Sequence, residues 1–217
     1  MYVPKHHQLK EHDAAFSLMV SHPLGAWVCQ TQEGLVANHL PFFLDRTRGP
    51  HGVLMGHVAR ANAVWRQLTL LAPSVVIFQG PQSYITPGWY PSKVEHGKVV
   101  PTWNYLVAHV HGTARVVEDR DWMLNMLNRL TDTQEAHQSQ PWQVGDAPSD
   151  HIEKLMRAVV GIEIAIDRVE GKLKASQDEE MPDRHGTVTG LLSTPGEHCQ
   201  AMAALVLNAI ASETPPS

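Results

Sequence analysis

The stretch WNYLVAHVHGTARVV, residues 103–117, decides the architecture. Side chains alternate across a strand with a period of two, so Trp103, Tyr105, Val107, His109, His111 and Thr113 share one face. Leu106, Ala108, Val110, Gly112 and Ala114 share the other. Both sets are largely apolar or aromatic, which predicts a long strand covered on both sides. Upstream, residues 25–31 (GAWVCQT) and 35–44 (LVANHLPFFL) read as strands joined by the turn Gln32-Glu33-Gly34. Pro41 inside the second argues for an edge or a bulge. Residues 52–57 read as a third strand and 75–79 as a short apolar one. Helical spacing appears at 11–20, and a helix is predicted over 59–71, stopped by Pro73.

Downstream, residues 121–133 place Trp122, Met126 and Leu130 on one helical stripe. Residues 138–148 read as loop. Ser149 or Asp150 caps a helix running to about Ala158. Ile162, Ile164 and Ile166 alternate with Glu163, Ala165 and Asp167, a half-buried strand that 171–177 continues or pairs with. Two helices follow, near 184–192 and over 197–211. Hairpin-type connections dominate, and no regular βαβ alternation is present. The pattern predicts a mainly β chain with peripheral helices (α+β), an antiparallel barrel and not a doubly wound sheet. One domain over 1–211 is expected, with a disordered tail at 212–217 (SETPPS).

Composition narrows the partners. The net charge of −5 gives no basic footprint of the kind a DNA-binding domain shows. Cys29 and Cys199 match no metal or redox spacing, so free thiols in a reducing compartment are expected. The polar start MYVPKHHQLKEHD has no apolar segment of a signal peptide, and no run reaches the length of a membrane span. The cytoplasm is the expected location.

Residues 82–111 (QSYITPGWYPSKVEHGKVVPTWNYLVAHVH) concentrate the chemistry. Tyr84, Trp89, Tyr90, Trp103 and Tyr105 are half of the chain's 6 Trp and 4 Tyr. Pro87, Pro91 and Pro101 stiffen the segment, and Lys93 and Lys98 add positive charge. Flat rings beside cations suit a flat anionic ligand. The alternative is a loop whose aromatics plug a barrel end. Glycine-rich phosphate loops are missing: Gly97-Lys98 is followed by Val99, and no G-x-G-x-x-G follows a strand. His109 and His111 share a strand face, but no spacing supplies a third ligand, so no metal centre is expected. At residues 56–62 (GHVARAN) a strand is predicted to run into a helix near Arg60. A helix start and a guanidinium together make a phosphate site. The alternative is that Arg60 and Arg66 only solvate a surface helix. Asn38-His39 lies on the neighbouring strand and brings polar groups toward the same place.

Nine ordered motifs carry a resemblance. They are N-H-L-P at 38–41, G-H-V-A-R-A-N at 56–62, F-Q-G-P at 78–81, T-P-G-W-Y-P-S-K at 86–93 and G-K-V-V-P-T-W-N-Y at 97–105. H-V-H-G at 109–112, D-A-P at 146–148, G-I-E-I at 161–164 and G-K-L-K-A-S-Q at 171–177 complete the series. From residue 2 to about 192 the chain resembles the PaiB family, the FMN-binding negative transcriptional regulators. The resemblance implies an FMN-binding split β-barrel, a Greek-key antiparallel fold related to flavin reductases and pyridoxamine-phosphate oxidases. It implies a homodimer with FMN held between subunits. By motif, Arg60 and Asn62 would cradle the phosphate, and His57 and Ala59 would lie near the ribityl chain. Thr102, Trp103 and Asn104 would line the ring, and Lys93 and Lys98 would neutralise the phosphate or the reduced flavin. Lys174, Ser176 and Gln177 would close the pocket. Ala63 stands where proline is usual, which removes a rigid first helical residue. Three roles stay open: a regulator acting on DNA or through a partner regulator, a flavin-dependent oxidoreductase with Lys93, Lys98 or His109 beside the ring, and a haem-binding split barrel.

Overall fold

The computed structural model describes residues 1–9, 12–68 and 72–213. Its strands are β1 (Leu24–Thr31), β2 (Gly34–Pro41), β3 (Phe43–Asp45), β4 (Val53–Ala59), β5 (Ala72–Ile85), β6 (Thr102–Val117) and β7 (Val159–Lys174). They form one sheet in the order β2-β1-β5-β6-β7-β4-β3. β1 pairs antiparallel with β2 from Leu24 opposite Pro41 to Thr31 opposite Gly34. It also pairs antiparallel with β5, as β4 does with both β3 and β7. The neighbours β1–β5 and β4–β7 are distant in sequence, which is the Greek-key wiring of a split barrel. The helices are α1 (His12–Ser21), α2 (Val64–Gln67), α3 (Ser92–Glu95), α4 (Arg120–Glu135), α5 (Ser149–Arg157), α6 (Met181–Ser193) and α7 (Glu197–Glu213). The fold is thus a seven-stranded antiparallel sheet with flanking helices (α+β), as the strand pattern implied. None of the described helices is long and apolar enough to cross a membrane.

The chain falls into two compact units. The first takes residues 1–15, 79–108 and everything from 170 onward; the second takes 16–78 and 109–169. In the second unit the sheet curls until β2 lies against β4. A Cβ built on Gly56 would sit 3.2 Å from the Pro41 carbonyl oxygen and 3.1 Å from the Phe42 ring. These are tighter than most Cβ contacts, so a side chain here would displace its neighbours by a few tenths of an ångström. Val53, Met55, Met123, Met126 and Met156 form a core between β4 and the helices α4 and α5. The α4 start is fixed by Asp119, whose carboxylate accepts from the Trp122 amide at 2.7 Å. In the first unit α6 and α7 pack over Ile85, Tyr90 and Ala175 through Val188, Leu191, Met202 and Val206. Buried Asp183 accepts from both the amide and the hydroxyl of Ser92, which ties α6 to α3. The expected tail begins inside α7, which runs to Glu213; residues 214–217 lie outside the described residues.

Four sequence expectations change. The helix predicted over 59–71 is a strand end, a turn and the four-residue α2, with 69–71 outside the described residues. The cause is pairing: β4 continues against β7 as far as Ala59 opposite Val159, and the Arg60 amide then donates to the Ala158 carbonyl. Asn62 accepts from the Val64 amide at 3.0 Å, so the helix starts only after this side-chain turn. The strand expected over 75–79 extends to Ile85, absorbing the start of the aromatic segment. On the even face of β6 Ala108, Val110, Gly112 and Ala114 are buried and Leu106 is half-buried, whereas on the odd face Tyr105, His109, His111 and Thr113 are half-buried. Glu163, expected on the exposed face of β7, is 4% exposed.

Two buried carboxylates in the second unit make stability depend on acid. Burial pushes the Asp45 carboxyl up, but hydrogen bonds from Thr47 and from Arg129 outweigh it and hold the pKa at about 2, against an ordinary 3.8. Burial also opposes the Glu163 charge, and the donors from Arg48, Arg115 and Trp122 win, so its pKa lies below the ordinary carboxylate value. A depressed folded-state pKa contributes stability above the unfolded pKa and loses it as pH falls toward the folded one. The urea midpoint is therefore expected to hold steady from pH 7 to about 5 and to fall steeply between about pH 4 and pH 2. Asp45→Asn flattens that fall. A midpoint as high at pH 3 as at pH 6 contradicts this account.

Candidate functional site

The residues expected around a ligand fall into two groups, one in each unit. In the second unit, His57 and Ala59 close β4 and border a cavity of about 490 Å³. Leu127 from α4, Ile152 and Leu155 from α5, and Trp142 from the loop between them supply an apolar wall. The size is that of a small-molecule site. His57 Nδ1 is buried there without a hydrogen-bond partner. Burial lowers the imidazole pKa, so the ring is neutral at pH 7. A buried, unpaired polar atom on an apolar wall asks for a partner from a bound molecule. Beside it, Asn62 Nδ2 donates to Asn38 Oδ1 at 2.8 Å, leaving Asn38 Nδ2 buried and unpartnered. The polar groups of β2 thus reach the G-H-V-A-R-A-N turn, while His39 is exposed.

Arg60 lies in an adjoining cleft of about 260 Å³ with Arg120, Arg157, Glu118 and Glu153. Its Nε donates to the Arg157 carbonyl at 2.9 Å, Nη1 to Glu118 at 2.7 Å, and Nη2 to the Val159 carbonyl at 3.2 Å. Those two carbonyls flank the C-terminal end of α5, where unpaired acceptors and the helix dipole favour a cation. The fork expected to face a phosphate therefore laces the turn to the start of β7. The pair with Glu118 is weak, because both side chains are substantially exposed. Arg157, whose side chain is exposed in the same cleft, did not stand out in the sequence.

In the first unit the structure brings Thr102, Asn104, Lys174 and Ser176 together across the ends of β6 and β7. Lys174 Nζ donates to Thr102 Oγ1, and Asn104 Nδ2 donates to Ser176 Oγ at 2.9 Å. Asn104 is fully buried and its Oδ1 has no partner. Ser176 adopts φ 60°, a left-handed conformation rare for a residue with a side chain, which places its hydroxyl on Asn104. Gln177 lies in the same loop, its amide donating to the Leu173 carbonyl at 2.8 Å. The aromatic segment divides. Tyr90 is buried in the core and partly buried Trp89 packs against it, so these two rings act as packing. Trp103 and Tyr84 are about half exposed, edge to face with ring centroids 5.9 Å apart. Lys93 on α3 and Lys98 after it are exposed.

His109 and His111 do share a face of β6, with ring centroids 6.4 Å apart. The Arg168 guanidinium stands 3.3 Å from His111 Nε2. The apolar wall of the cavity escaped the sequence reading. Its signal was present in Ile152, Leu155 and Met156, spaced three and four apart on α5.

Comparison with known proteins agrees with this architecture. A family described as "Putative FMN-binding domain" matches residues 1–168. An uncharacterised protein of Emericella nidulans is 33% identical over 238 residues, covering 93% of this chain and 95% of that one. Protease synthase and sporulation protein PAI 2 of Bacillus subtilis is 26% identical over 206 residues, covering 95% of this chain and 96% of its own. Among solved structures, the FAD and heme binding protein of Mycobacterium smegmatis superposes with a TM-score of 0.57 at 18% identity. That match covers 95% of this chain and 80% of the other and speaks for the fold. The ordered motifs, the curled antiparallel sheet and these matches agree that the chain belongs to the FMN-binding split-barrel family of the PaiB type, whose cofactor is FMN.

Proposed function

We propose that the chain is a cytoplasmic, homodimeric negative regulator whose activity depends on FMN held against the end of β4. The observation that carries this reading is the cavity beside His57. Its volume of about 490 Å³ and its wall of Leu127, Ile152 and Leu155 fit a flat ring system. The unpartnered His57 Nδ1 fits the polar edge of such a ring. Arg157, exposed in the adjoining cleft, suits a phosphate. FMN, when bound, supplies one- or two-electron chemistry; the chain's residues hold and orient it. The half-exposed Trp142 and Leu155 at the cavity support a second copy as the cover. The resemblance of the nine ordered motifs to the PaiB regulators supports the regulatory role. The net charge of −5 and the four-residue α2, too short for a recognition helix, favour repression through a partner regulator over direct DNA contact.

FMN titrated into the purified protein is expected to bind once per chain, with quenched flavin fluorescence. Ala59→Trp fills the cavity from an exposed strand end and weakens binding at least about tenfold, about 1.4 kcal/mol, without lowering the melting temperature. An Ala59→Trp protein that binds FMN as tightly as the parent overturns the site. Rapid bleaching of the bound flavin by reduced nicotinamide, with no effect of the protein on a partner regulator's promoter binding, replaces the regulator with an oxidoreductase.

A further inference from the structure

A second constellation lies in the first unit, where a short 3-10 turn at Lys5–His7 carries His6 and His7. The turn is docked on the end of β7: the Leu9 amide donates to the Gly171 carbonyl at 3.1 Å, and Gln8 bridges to Lys172. This brings both imidazoles to the loop that follows β7. One nitrogen from each of His6 and His7 and one carboxylate oxygen of Asp178 lie within 4.8 Å of one another. His7 is buried, whereas His6 and Asp178 are exposed.

The proton on His7 is assigned by its neighbour. The Gln177 amide nitrogen donates to the Leu173 carbonyl at 2.8 Å, and its oxygen accepts from the Ala175 amide at 2.7 Å. Both backbone partners agree on the orientation of that amide, so the atom facing His7 Nδ1 at 3.1 Å is the acceptor oxygen. Nδ1 therefore carries the hydrogen, and the lone pair is on Nε2. Metal-binding histidines commonly show this arrangement, one nitrogen donating to a fixed carbonyl while the other faces the ion. The His6 and His7 rings stand at 67° with centroids 4.1 Å apart. A tetrahedral ion with bonds of about 2.1 Å separates its nitrogen and oxygen ligands by about 3.4 Å, so side-chain rotation of the exposed His6 and Asp178 closes the set. Glu179 and Glu180, next to Asp178 in sequence, add negative charge.

We infer that His6, His7 and Asp178 form a site for a divalent first-row transition metal ion, such as zinc. Two imidazoles and one carboxylate are a donor set for such ions and a poor one for magnesium or calcium. Three protein ligands leave a fourth position for water. The ion would pin the turn at residues 5–7 to the loop holding Lys174, Ser176 and Gln177.

The probe is Co²⁺, added to the full-length protein after dialysis against a chelator. One equivalent is expected to bind and give visible d–d absorption, which Zn²⁺ then displaces. His6→Ala and Asp178→Asn, both at exposed positions, are each expected to weaken binding at least about tenfold, and the pair together to abolish the band. His96→Ala, an exposed histidine elsewhere, leaves it unchanged. The proposal falls if no saturable one-to-one binding occurs, or if the double variant binds Co²⁺ like the parent. FMN binding is read separately by flavin fluorescence, so the two sites stand or fall independently.

Discussion

Gly112→Ala is expected to lower the melting temperature by about 12 °C, the equivalent of about 4 kcal/mol in a chain of this size. Gly112 is buried on β6, next to β7 in the sheet. A Cβ built on it would stand 2.1 Å from the Ala165 carbonyl oxygen and 2.8 Å from Ile164 Cγ2. The first of these is backbone, which cannot rotate away as a side chain can. The strands must separate instead, and separation weakens ladder hydrogen bonds worth about 1 kcal/mol each. It also loosens the packing of Ile162 and Ile164, both fully buried. Thermal unfolding followed by circular dichroism reads the effect. A variant melting within about 3 °C of the parent shows that β6 and β7 yield at this point, and the rigidity assigned to the pair is then wrong.

Glu163→Ala is expected to cost about 3 kcal/mol. The Glu163 carboxylate accepts from Arg48 Nη1 and Nη2 at 2.7 and 3.0 Å, from Arg115 Nε at 2.7 Å, and from Trp122 Nε1 at 2.9 Å. Breaking a fully buried ion pair costs about 3–5 kcal/mol. The lower end applies, because the Arg48 and Arg115 side chains are 41% and 59% exposed and regain water when the carboxylate is gone. Glu163→Gln keeps an acceptor and the shape but loses the charge, so about half the cost is expected. Urea unfolding of the two variants ranks them. Equal losses for Ala and Gln make the charge the whole effect, and a loss below about 1 kcal/mol for Ala refutes the node.

The same residue marks where the sequence misleads. Alternation in 161–167 placed Glu163 outward, as if on a half-buried strand. Period-two reasoning reads one strand at a time, whereas burial of Glu163 depends on Arg48, Arg115 and Trp122, each far along the chain. Strands with local signals were legible: β1, β2 and the turn at Gly34 follow from alternation and turn chemistry, and Pro41 ends an edge strand as its missing amide requires. The helix predicted after His57 failed because strand pairing with β7 outcompeted a local helical preference. The candidate site divides in the same way. Motifs found Asn62, Asn104, Lys174 and Ser176, which the fold joins to other polar groups. They were silent on the apolar wall from α4 and α5, since an apolar helix face reads alike whether it covers a core or a cavity.

Each compact unit is assembled from separated pieces of chain, and β5, β6 and β7 each pass from one into the other. No single cut in the gene therefore yields either half as an uninterrupted polypeptide. Making either unit alone would require its separated pieces to be rejoined by new connections.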